Sequence, residues 1–318
     1  MARRSANVAL LVCSLALPLV AVGDPSPVYR GTAHDALFGL CLDGQQGVAV
    51  GGAGLVLETE DGGKNWTEVP PFSNIALLDV SCGSGANLIV SQGGVIYRAS
   101  EGSYQAVESG TEARLLAVDS NSKGLAIAVG GFGSILRSED AGLTWESIPV
   151  DWEAVLNDFV EPHLYDVQIT EEGVVTVVGE FELVMRSSDG GTTWEAVHKG
   201  EASLFGLNLT ADGNGFAVGQ EGKILRTTDG GVSWWEADSP TGGILLNVWS
   251  SQNGQVLVSG IRNMLQSSDG GNTWRLIEGG DLSTGWYQGL VVTDNGGASA
   301  TTALLAGHRG NILKLEMN

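Results

Sequence analysis

The sequence predicts an all-β fold: a single seven-bladed β-propeller with four-stranded blades, in which an N-terminal strand closes the last blade. Three observations lead to this prediction, namely a recurring eight-residue turn motif, its spacing, and the glycine content. Glycine accounts for 47 of the 318 residues and proline for only 8. This balance suits many short strands joined by glycine turns.

The motif occurs five times, and each copy predicts a tight turn. It starts with a hydroxyl residue, has an aspartate two positions later, continues through glycine and ends in tryptophan. The aspartate can accept hydrogen bonds from backbone amides, the glycines supply positive φ, and the tryptophan buries a large apolar surface. The aspartates and tryptophans of the five copies are Asp61, Trp66, Asp140, Trp145, Asp189, Trp194, Asp229, Trp234, Asp269 and Trp274.

The spacing of the motif indicates a repeat protein. The last three tryptophans follow one another at steps of 40 residues, and apolar strands recur around them seven times. Four short strands in about 40 residues is the pattern of a propeller blade. The second repeat carries a degenerate turn at residues 100–104, and the seventh ends without its outer strand, which we expect residues 27–31 to supply. No helix is predicted after residue 23.

The N-terminus has the pattern of a signal peptide, which we assign to residues 1–23, with the propeller at 24–318. Arg3 and Arg4 precede an apolar run over residues 8–22, and small residues precede Asp24. We therefore expect an exported protein, periplasmic or secreted. In an oxidising compartment Cys41 and Cys82 could pair, but they lie one position out of register in neighbouring repeats, which argues against a disulfide.

The charge excludes some partners and cofactors. With 16 basic against 37 acidic side chains the formal net charge is −21, so the chain lacks the basic footprint that nucleic acids require. The four histidines, His34, His163, His198 and His308, show no metal-ligand spacing. We predict no cofactor and no metal, and expect a monomer.

The motif is that of the Asp-box, or BNR, repeats of sialidases, xyloglucanases, sortilins and the photosystem II stability/assembly factor family. The extended pattern of residues 216–231 resembles the last family most, and the resemblance covers about residues 27–314. It implies a seven-bladed, non-catalytic assembly chaperone that uses an Arg-rich surface on a precursor reaction-centre protein. Exported relatives also occur in non-photosynthetic bacteria, and we expect this chain to be one of them.

An enzymatic function has little support in the sequence. A sialidase-like site needs an arginine cluster, a tyrosine nucleophile beside a glutamate, and an aspartic acid. The early Phe-Arg-Ile-Pro-type segment is missing, and residues 29–31 replace it poorly. We predict a non-catalytic protein, and keep as the alternative a carbohydrate-active one, either a degenerate glycosidase or a glycan-binding propeller.

A long link between repeats is the first candidate for a binding surface. Trp145 and Trp194 are 49 residues apart, and the excess falls in residues 149–163, called here the insertion loop. Exposed aromatics on a loop held by a rigid scaffold are typical of binding sites. The candidate partner-binding residues, from this loop and the Gly turns, are Trp152, Phe159, Phe132, Phe181, Arg262 and Arg309. The alternative is that Trp152 and Phe159 only seal the groove between blades.

A row of cations before the motif is the second candidate. It comprises Arg98, Arg137, Arg186 and Arg226. One interpretation is an Arg surface that binds a partner. The other is a set of cross-strand charge pairs with Glu146, Glu195 and Glu236, which the swap to Gln266 and Arg275 in the sixth repeat favours. Together these features predict an exported protein-binding propeller that serves a membrane protein complex as an assembly or accessory factor.

Overall fold

The chain forms a ring of seven four-stranded antiparallel sheets, seen in a computed structural model that describes residues 23–83, 85–100, 102–293 and 301–317. The seven-bladed fold is confirmed. The predicted signal peptide lies outside the described residues except for Gly23. Among the described residues, no helix has the length and apolar character needed to cross a membrane.

Each blade is a meander whose first strand lines the central channel. The innermost strands are β2 (Leu37–Asp43), β6 (Leu77–Ser81), β10 (Leu115–Ser120), β14 (Leu164–Ile169), β18 (Leu204–Leu209), β22 (Leu245–Ser250) and β26 (Tyr287–Thr293). The second strands are β3 (Gln46–Gly51), β7 (Leu88–Ser91), β11 (Ala126–Gly130), β15 (Val175–Gly179), β19 (Gly215–Gly219), β23 (Val256–Gly260) and β27 (Thr301–Gly307).

The outer half of each blade follows the same order. The third strands are β4 (Val56–Thr59), β8 (Ile96–Ser100), β12 (Ile135–Ser138), β16 (Val184–Ser187), β20 (Ile224–Thr227), β24 (Met264–Ser267) and β28 (Ile312–Met317). The outermost strands are β1 (Ser26–Tyr29), β5 (Thr67–Glu68), β9 (Ser103–Val107), β13 (Glu146–Ser147), β17 (Glu195–His198), β21 (Trp235–Glu236) and β25 (Arg275–Leu276). Three short 3-10 turns lie at Gly52–Gly54, Gln220–Gly222 and Gly280–Ser283.

The ring closes as the sequence predicts. Strand β1 pairs antiparallel with β28, placing Ser26 opposite Lys314 and Pro27 opposite Leu313. The N-terminal strand therefore completes blade 7, and the N-terminal and C-terminal segments are joined within one sheet. The prediction of no helix after residue 23 was wrong: a short helix, α1 (Trp152–Leu156), lies in the insertion loop. It forms because the Asp151 side chain accepts a hydrogen bond from the Ala154 amide and caps its first turn.

The Asp-box turns have the hydrogen bonds that the motif requires. In blade 4, Oδ1 of Asp189 accepts bonds from the backbone amides of Thr192 and Thr193, and the Gly191 amide donates to Ser187. Nε1 of Trp194 donates to the Gly191 carbonyl at 3.0 Å. In blade 2, where the motif is degenerate, β8 pairs antiparallel with the outer strand β9, which places Ser100 opposite Ser103 and Arg98 opposite Gln105.

Neighbouring blades are joined through side chains of their innermost strands. Oδ2 of Asp79 accepts from the Val118 amide of the next blade at 3.0 Å, and Oδ2 of Asp166 accepts from Leu207 at 2.7 Å. Blade 6 uses an amide in the same place, since Nδ2 of Asn247 donates to the carbonyl of Gln288. These hydrogen bonds join each of these blades to the next one, and the sequence pattern did not predict them.

A disulfide joins blades 1 and 2, contrary to our expectation. Cys41 and Cys82 are bonded, with their Cα atoms 5.5 Å apart. Cys82 follows the last residue of β6, where the chain has already left the regular strand, so the one-position offset does not keep the two side chains apart. Both contact one hydrophobic cluster, which also contains Val48 and Val80.

Candidate functional site

The two faces of the ring carry different turns. The turns between second and third strands, together with the links between blades, form one face, called here the Gly-turn face. Hydrogen bonds tie turns to links, as from the Gly52 amide to the Ala36 carbonyl and from the Gly131 amide to the Arg114 carbonyl. The Asp-box turns lie on the opposite face.

The tips of the Gly turns hold exposed side chains on a left-handed backbone. Glycine is the residue that adopts this conformation without strain, yet six of the seven tips carry another residue. These are Ala53, Phe132, Phe181, Glu221, Arg262 and Arg309, with φ between 54° and 63°. Phe132 is 67% exposed and Phe181 38%, and both arginines are exposed. Four of the predicted partner-binding residues therefore share one face.

The two aromatic residues of the insertion loop, Trp152 and Phe159, lie in different environments, which the sequence did not distinguish. Trp152 is only 9% exposed and packs so tightly on Gly133 that a Cβ there would lie 2.2 Å from its Nε1. Phe159 is 85% exposed. The Gly133 amide also donates to the carbonyl of Pro162 at 2.8 Å. Trp152 thus seals the groove and anchors the loop, whereas Phe159 is presented to solvent.

The turn of blade 4 departs from the other turns. Five of the other six turns have a glycine at positive φ after the tip, but Phe181 is followed by Glu182, and both have positive φ (63° and 46°). Glu182 is 7% exposed. Its Oε1 accepts from the amides of Glu201 and Ala202, and its carboxylate pairs with Lys223 and His198, each at 3.3 Å.

This network sets the charge of Glu182. Burial alone raises its pKa, but hydrogen bonds from the Ala202 amide, His198 and Lys223 together outweigh burial, so that the pKa is lowered. The carboxylate is therefore ionised at neutral pH and fixes the turn. The Gly200 amide adds a bond to the carbonyl of Phe181 at 2.7 Å. Glu182 was not predicted as a site residue from the sequence, although a glutamate where most other turns have a glycine was an indication of its special role.

A groove lies between the insertion loop and blade 4. Its volume is 310 Å³, and it is lined by Leu156, Asp158, Val160, Phe181, Lys199 and Gly200. The groove is at the lower end of the roughly 300–1,000 Å³ typical of ligand sites. Nζ of Lys199 donates to the carbonyl of Val155 at 2.7 Å, which fixes one side of it.

The central channel is nearly closed. The cavity inside it measures only 50 Å³, and its lining includes Phe38, Tyr165 and Phe205. The carboxylates that reach it, Asp79 and Asp166, accept backbone amides of neighbouring blades. Burial raises the pKa of Asp79 to about 7 and raises that of Asp166 well above its usual range. Both carboxylates are thus engaged with the backbone of the neighbouring blade.

The arginine row mostly joins blades. Nε of Arg98 donates to the carbonyl of Ala141, and Nε of Arg137 to that of Gly190, each in the Asp-box turn of the next blade. Arg137 also pairs with Glu146 at 3.0 Å, as the cross-strand interpretation predicted. In blade 6, Oε1 of Gln266 accepts from Nε of Arg275 at 2.8 Å.

Arg186 and Arg226 agree only in part with the predicted cross-strand charge pairs. Arg186 lies opposite Glu195 in the register. Arg226 lies opposite Trp235 and not beside Glu236, which pairs instead with Lys223 at 3.0 Å. Nη1 of Arg226 donates to Asn272 of the next blade, and its guanidinium lies 6.0 Å from the ring centre of Phe216. Within the described part of the chain, no cluster of three His, Cys, Asp or Glu residues could hold a metal ion.

Comparison with known proteins supports the family resemblance. Residues 148–238, which span the insertion loop and blades 4 and 5, match the family model described as photosynthesis system II assembly factor YCF48. No curated protein sequence matches the chain.

Solved structures extend the likeness to nearly the whole chain. A YCF48 bound to a D1 peptide is 19% identical with a TM-score of 0.70, covering 95% of this chain and 98% of the other. YCF48 from Cyanidioschyzon merolae is also 19% identical, with a TM-score of 0.73 and coverages of 93% and 99%.

The fold is shared more widely than this family. The GH74 xyloglucanase from Xanthomonas campestris is 13% identical with a TM-score of 0.72, and 91% of this chain covers 53% of that enzyme. At these identities the structural matches show the fold alone. By its sequence over blades 4 and 5, and by its seven-bladed fold, the chain resembles the photosystem II assembly factor YCF48 family.

Proposed function

We propose that this protein is an exported, non-catalytic propeller that binds another protein through its Gly-turn face, and that it serves a membrane protein complex as an assembly or accessory factor. The observation that carries the proposal is the exposure of Phe132, Phe159 and Phe181 on one face of a rigid ring. Large exposed aromatics on a fixed scaffold lose little conformational freedom on binding, which favours recognition.

Two further observations support parts of this proposal. A protein with the same fold and family description has been solved with a bound D1 peptide, which is a precedent for peptide recognition by such a ring. The disulfide between Cys41 and Cys82 suits an oxidising compartment, as expected of an exported protein.

The channel supports a non-catalytic role. Retaining and inverting glycosidases place two carboxyl groups on either side of a sugar ring. Here Asp79 and Asp166, the two carboxylates that line the channel cavity, both accept backbone amides of neighbouring blades. Their role in holding the blades together accounts for their position.

Affinity capture from crosslinked envelopes of the native host tests the proposal. The variant has Phe132, Phe159 and Phe181 changed to Ala, and the control has the exposed Asp-box residues Leu143 and Val232 changed to Ala. We expect one membrane complex to be captured by the wild type and the control but not by the variant. Capture by all three proteins, or specific capture by none of them, would contradict the proposal.

Glycan binding is the second candidate, and one pocket favours it. A cavity of 340 Å³ lies between blades 5 and 6, lined among others by Phe216, Arg226, Ser250 and Asn253. Several polar side chains around one cavity can form hydrogen bonds with the hydroxyl groups of a sugar. Thermal melting with xyloglucan oligosaccharides tests this candidate, since a ligand that binds the folded state must raise the melting temperature.

A further inference from the structure

We propose that the groove between the insertion loop and blade 4 binds an extended basic segment of the partner protein, in which an apolar or aromatic side chain neighbours a lysine or arginine. This inference rests on the proposed function and specifies the chemistry of the partner. Three features of the groove support it: its charge, its apolar lining and its rigidity.

The charge of this sector is one-sided. No lysine or arginine occurs between Arg137 and Arg186. The insertion loop alone contributes four exposed acids, Asp151, Glu153, Asp158 and Glu161. Asp158 lines the groove itself, and Glu201 is exposed next to the lining residue Gly200. An acidic partner segment would therefore be repelled, and a basic one is favoured.

The cations near the groove do not neutralise these acids. Lys223 lies between Glu182 and Glu236, at 3.3 and 3.0 Å, and His198 contacts Glu182. Lys199 lines the groove and keeps its charge, since its Nζ donates to the carbonyl of Val155, so it offsets at most one of the five acids. Among the described residues, Glu153 and Glu161 are in no ion pair with any of these cations. These two carboxylates remain available to a cation of the partner.

The apolar part of the groove sets the second requirement. Leu156, Val160 and Phe181 line it, and Phe159, in the same loop, is 85% exposed. A volume of 310 Å³ holds a side chain or two but no element of a folded domain. An extended segment can place one apolar side chain there and present its basic neighbours to the surrounding acids.

The backbone around the groove is rigid and strained. Phe181 and Glu182 both have positive φ, a conformation that is strained for a non-glycine residue and persists only where the surroundings impose it. The buried Glu182 imposes it through the bonds described above. On the other side, Trp152 anchors the insertion loop on Gly133. The groove is therefore formed before a partner arrives, which lowers the cost of binding.

Selection of a random displayed peptide library against the folded protein tests this inference. Enriched peptides are then measured against Phe159→Ala, Asp158→Lys and the control Glu172→Lys. Glu172 is exposed in the turn between β14 and β15, on the Asp-box side, so the control changes the net charge equally but away from the groove. Thermal melting of each variant verifies that it is folded.

We expect the enriched peptides to combine an aromatic or aliphatic residue with lysine or arginine. Binding should weaken about tenfold in Phe159→Ala and in Asp158→Lys, should stay near the wild-type value in Glu172→Lys, and should fall as salt is raised. Enrichment of acidic or neutral peptides, equal effects of the two lysine substitutions, or no enrichment at all would overturn the inference. The capture experiment depends only on the native partner, so it can succeed where this one fails.

Discussion

The two faces of the ring use the same repeat in different ways. On the Asp-box face both backbone and side chains recur: hydrogen bonds from the side chain and the amide of the residue before the tryptophan lower the pKa of Asp61, Asp140, Asp189 and Asp229 to about 2. On the Gly-turn face only the backbone recurs, since six of the seven tips have a similar positive φ but differ in side chain.

This difference indicates which side chains the fold requires and which it leaves free to vary. A turn whose side chains make its own hydrogen bonds cannot change them without cost, whereas a tip that points to solvent can carry any residue that tolerates the backbone. Specificity should therefore lie on the Gly-turn face and stability on the Asp-box face and in the core. The following predictions test this division, beginning with the largest expected effect.

Replacing a buried tryptophan such as Trp234 should cause the largest loss of stability. This tryptophan is 8% exposed, donates to the Gly231 carbonyl at 3.1 Å and packs on Val184 and Leu225. Truncation to Ala should lower the free energy of unfolding by about 3–5 kcal/mol, measured by urea denaturation. The neighbouring Trp235 is 43% exposed, and its truncation serves as the control, with an expected loss of under about 1 kcal/mol. Equal losses would refute the assignment of Trp234 to the core.

Removing the disulfide should have the next largest effect. Cys41 and Cys82 are separated by 41 residues, and a bond that closes such a loop stabilises a protein by about 2–4 kcal/mol. The Cys41→Ser, Cys82→Ser double variant should lose this amount in denaturation experiments. In the unreduced protein without residues 1–23, a thiol reagent should find no free thiol even after unfolding. Reaction at both cysteines would show that the bond is absent.

Asp79 should make stability fall as the pH rises. Its pKa in the folded state, about 7, is above the ordinary value of about 4, so the folded protein holds this proton more tightly than the unfolded chain. The stability gained from it is complete at low pH and is lost as the pH rises from about 4 to about 7. The free energy of unfolding of Asp79→Asn, relative to that of the wild type, should therefore be higher at pH 8 than at pH 5 by on the order of 2 kcal/mol.

A reverse substitution controls this experiment. Asn247 occupies the equivalent position in blade 6 but donates through Nδ2 to the carbonyl of Gln288. Asn247→Asp replaces this donor by an acceptor that is charged at high pH and faces a carbonyl, so it should add to the loss of stability at high pH. Chemical denaturation at a series of pH values measures both effects. A pH profile that neither variant alters would contradict the role assigned to the channel carboxylate.

Phe159 should contribute almost nothing to stability. Because it is 85% exposed, Phe159→Ala should change the free energy of unfolding by less than about 0.5 kcal/mol. Trp152→Ala, in the same loop, should cost about 3–5 kcal/mol because it empties a site packed against the core. Thermal and urea unfolding of the two variants compare the buried Trp152 directly with the exposed Phe159. A large loss in Phe159→Ala would show that it, too, seals the groove.

The features that recur from blade to blade were predicted from the sequence, whereas features that depend on contacts between distant residues were missed. The Asp-box turns and the closure by β1 follow from local patterns, because hydroxyl, aspartate, glycine and tryptophan act within one turn. The disulfide was missed because it depends on the path of the chain just after β6. The separation of Trp152 from Phe159 depends on Gly133, which is distant in sequence. Likewise, the inter-blade bonds of Arg98 and Arg137 join residues more than 40 positions apart.

Site-specific photocrosslinking tests the central claim most directly. A photoreactive phenylalanine analogue is placed at Phe132 or Phe159 on the Gly-turn face, and at Leu143 or Val232, which are 57% and 54% exposed, on the Asp-box face. Each protein is irradiated in the envelope of its native host. We expect the same partner to be crosslinked from Phe132 and Phe159 and from neither Asp-box position. Adducts formed from Leu143 or Val232 instead, or equally from both faces, would contradict the division of the ring into a structural and a binding face.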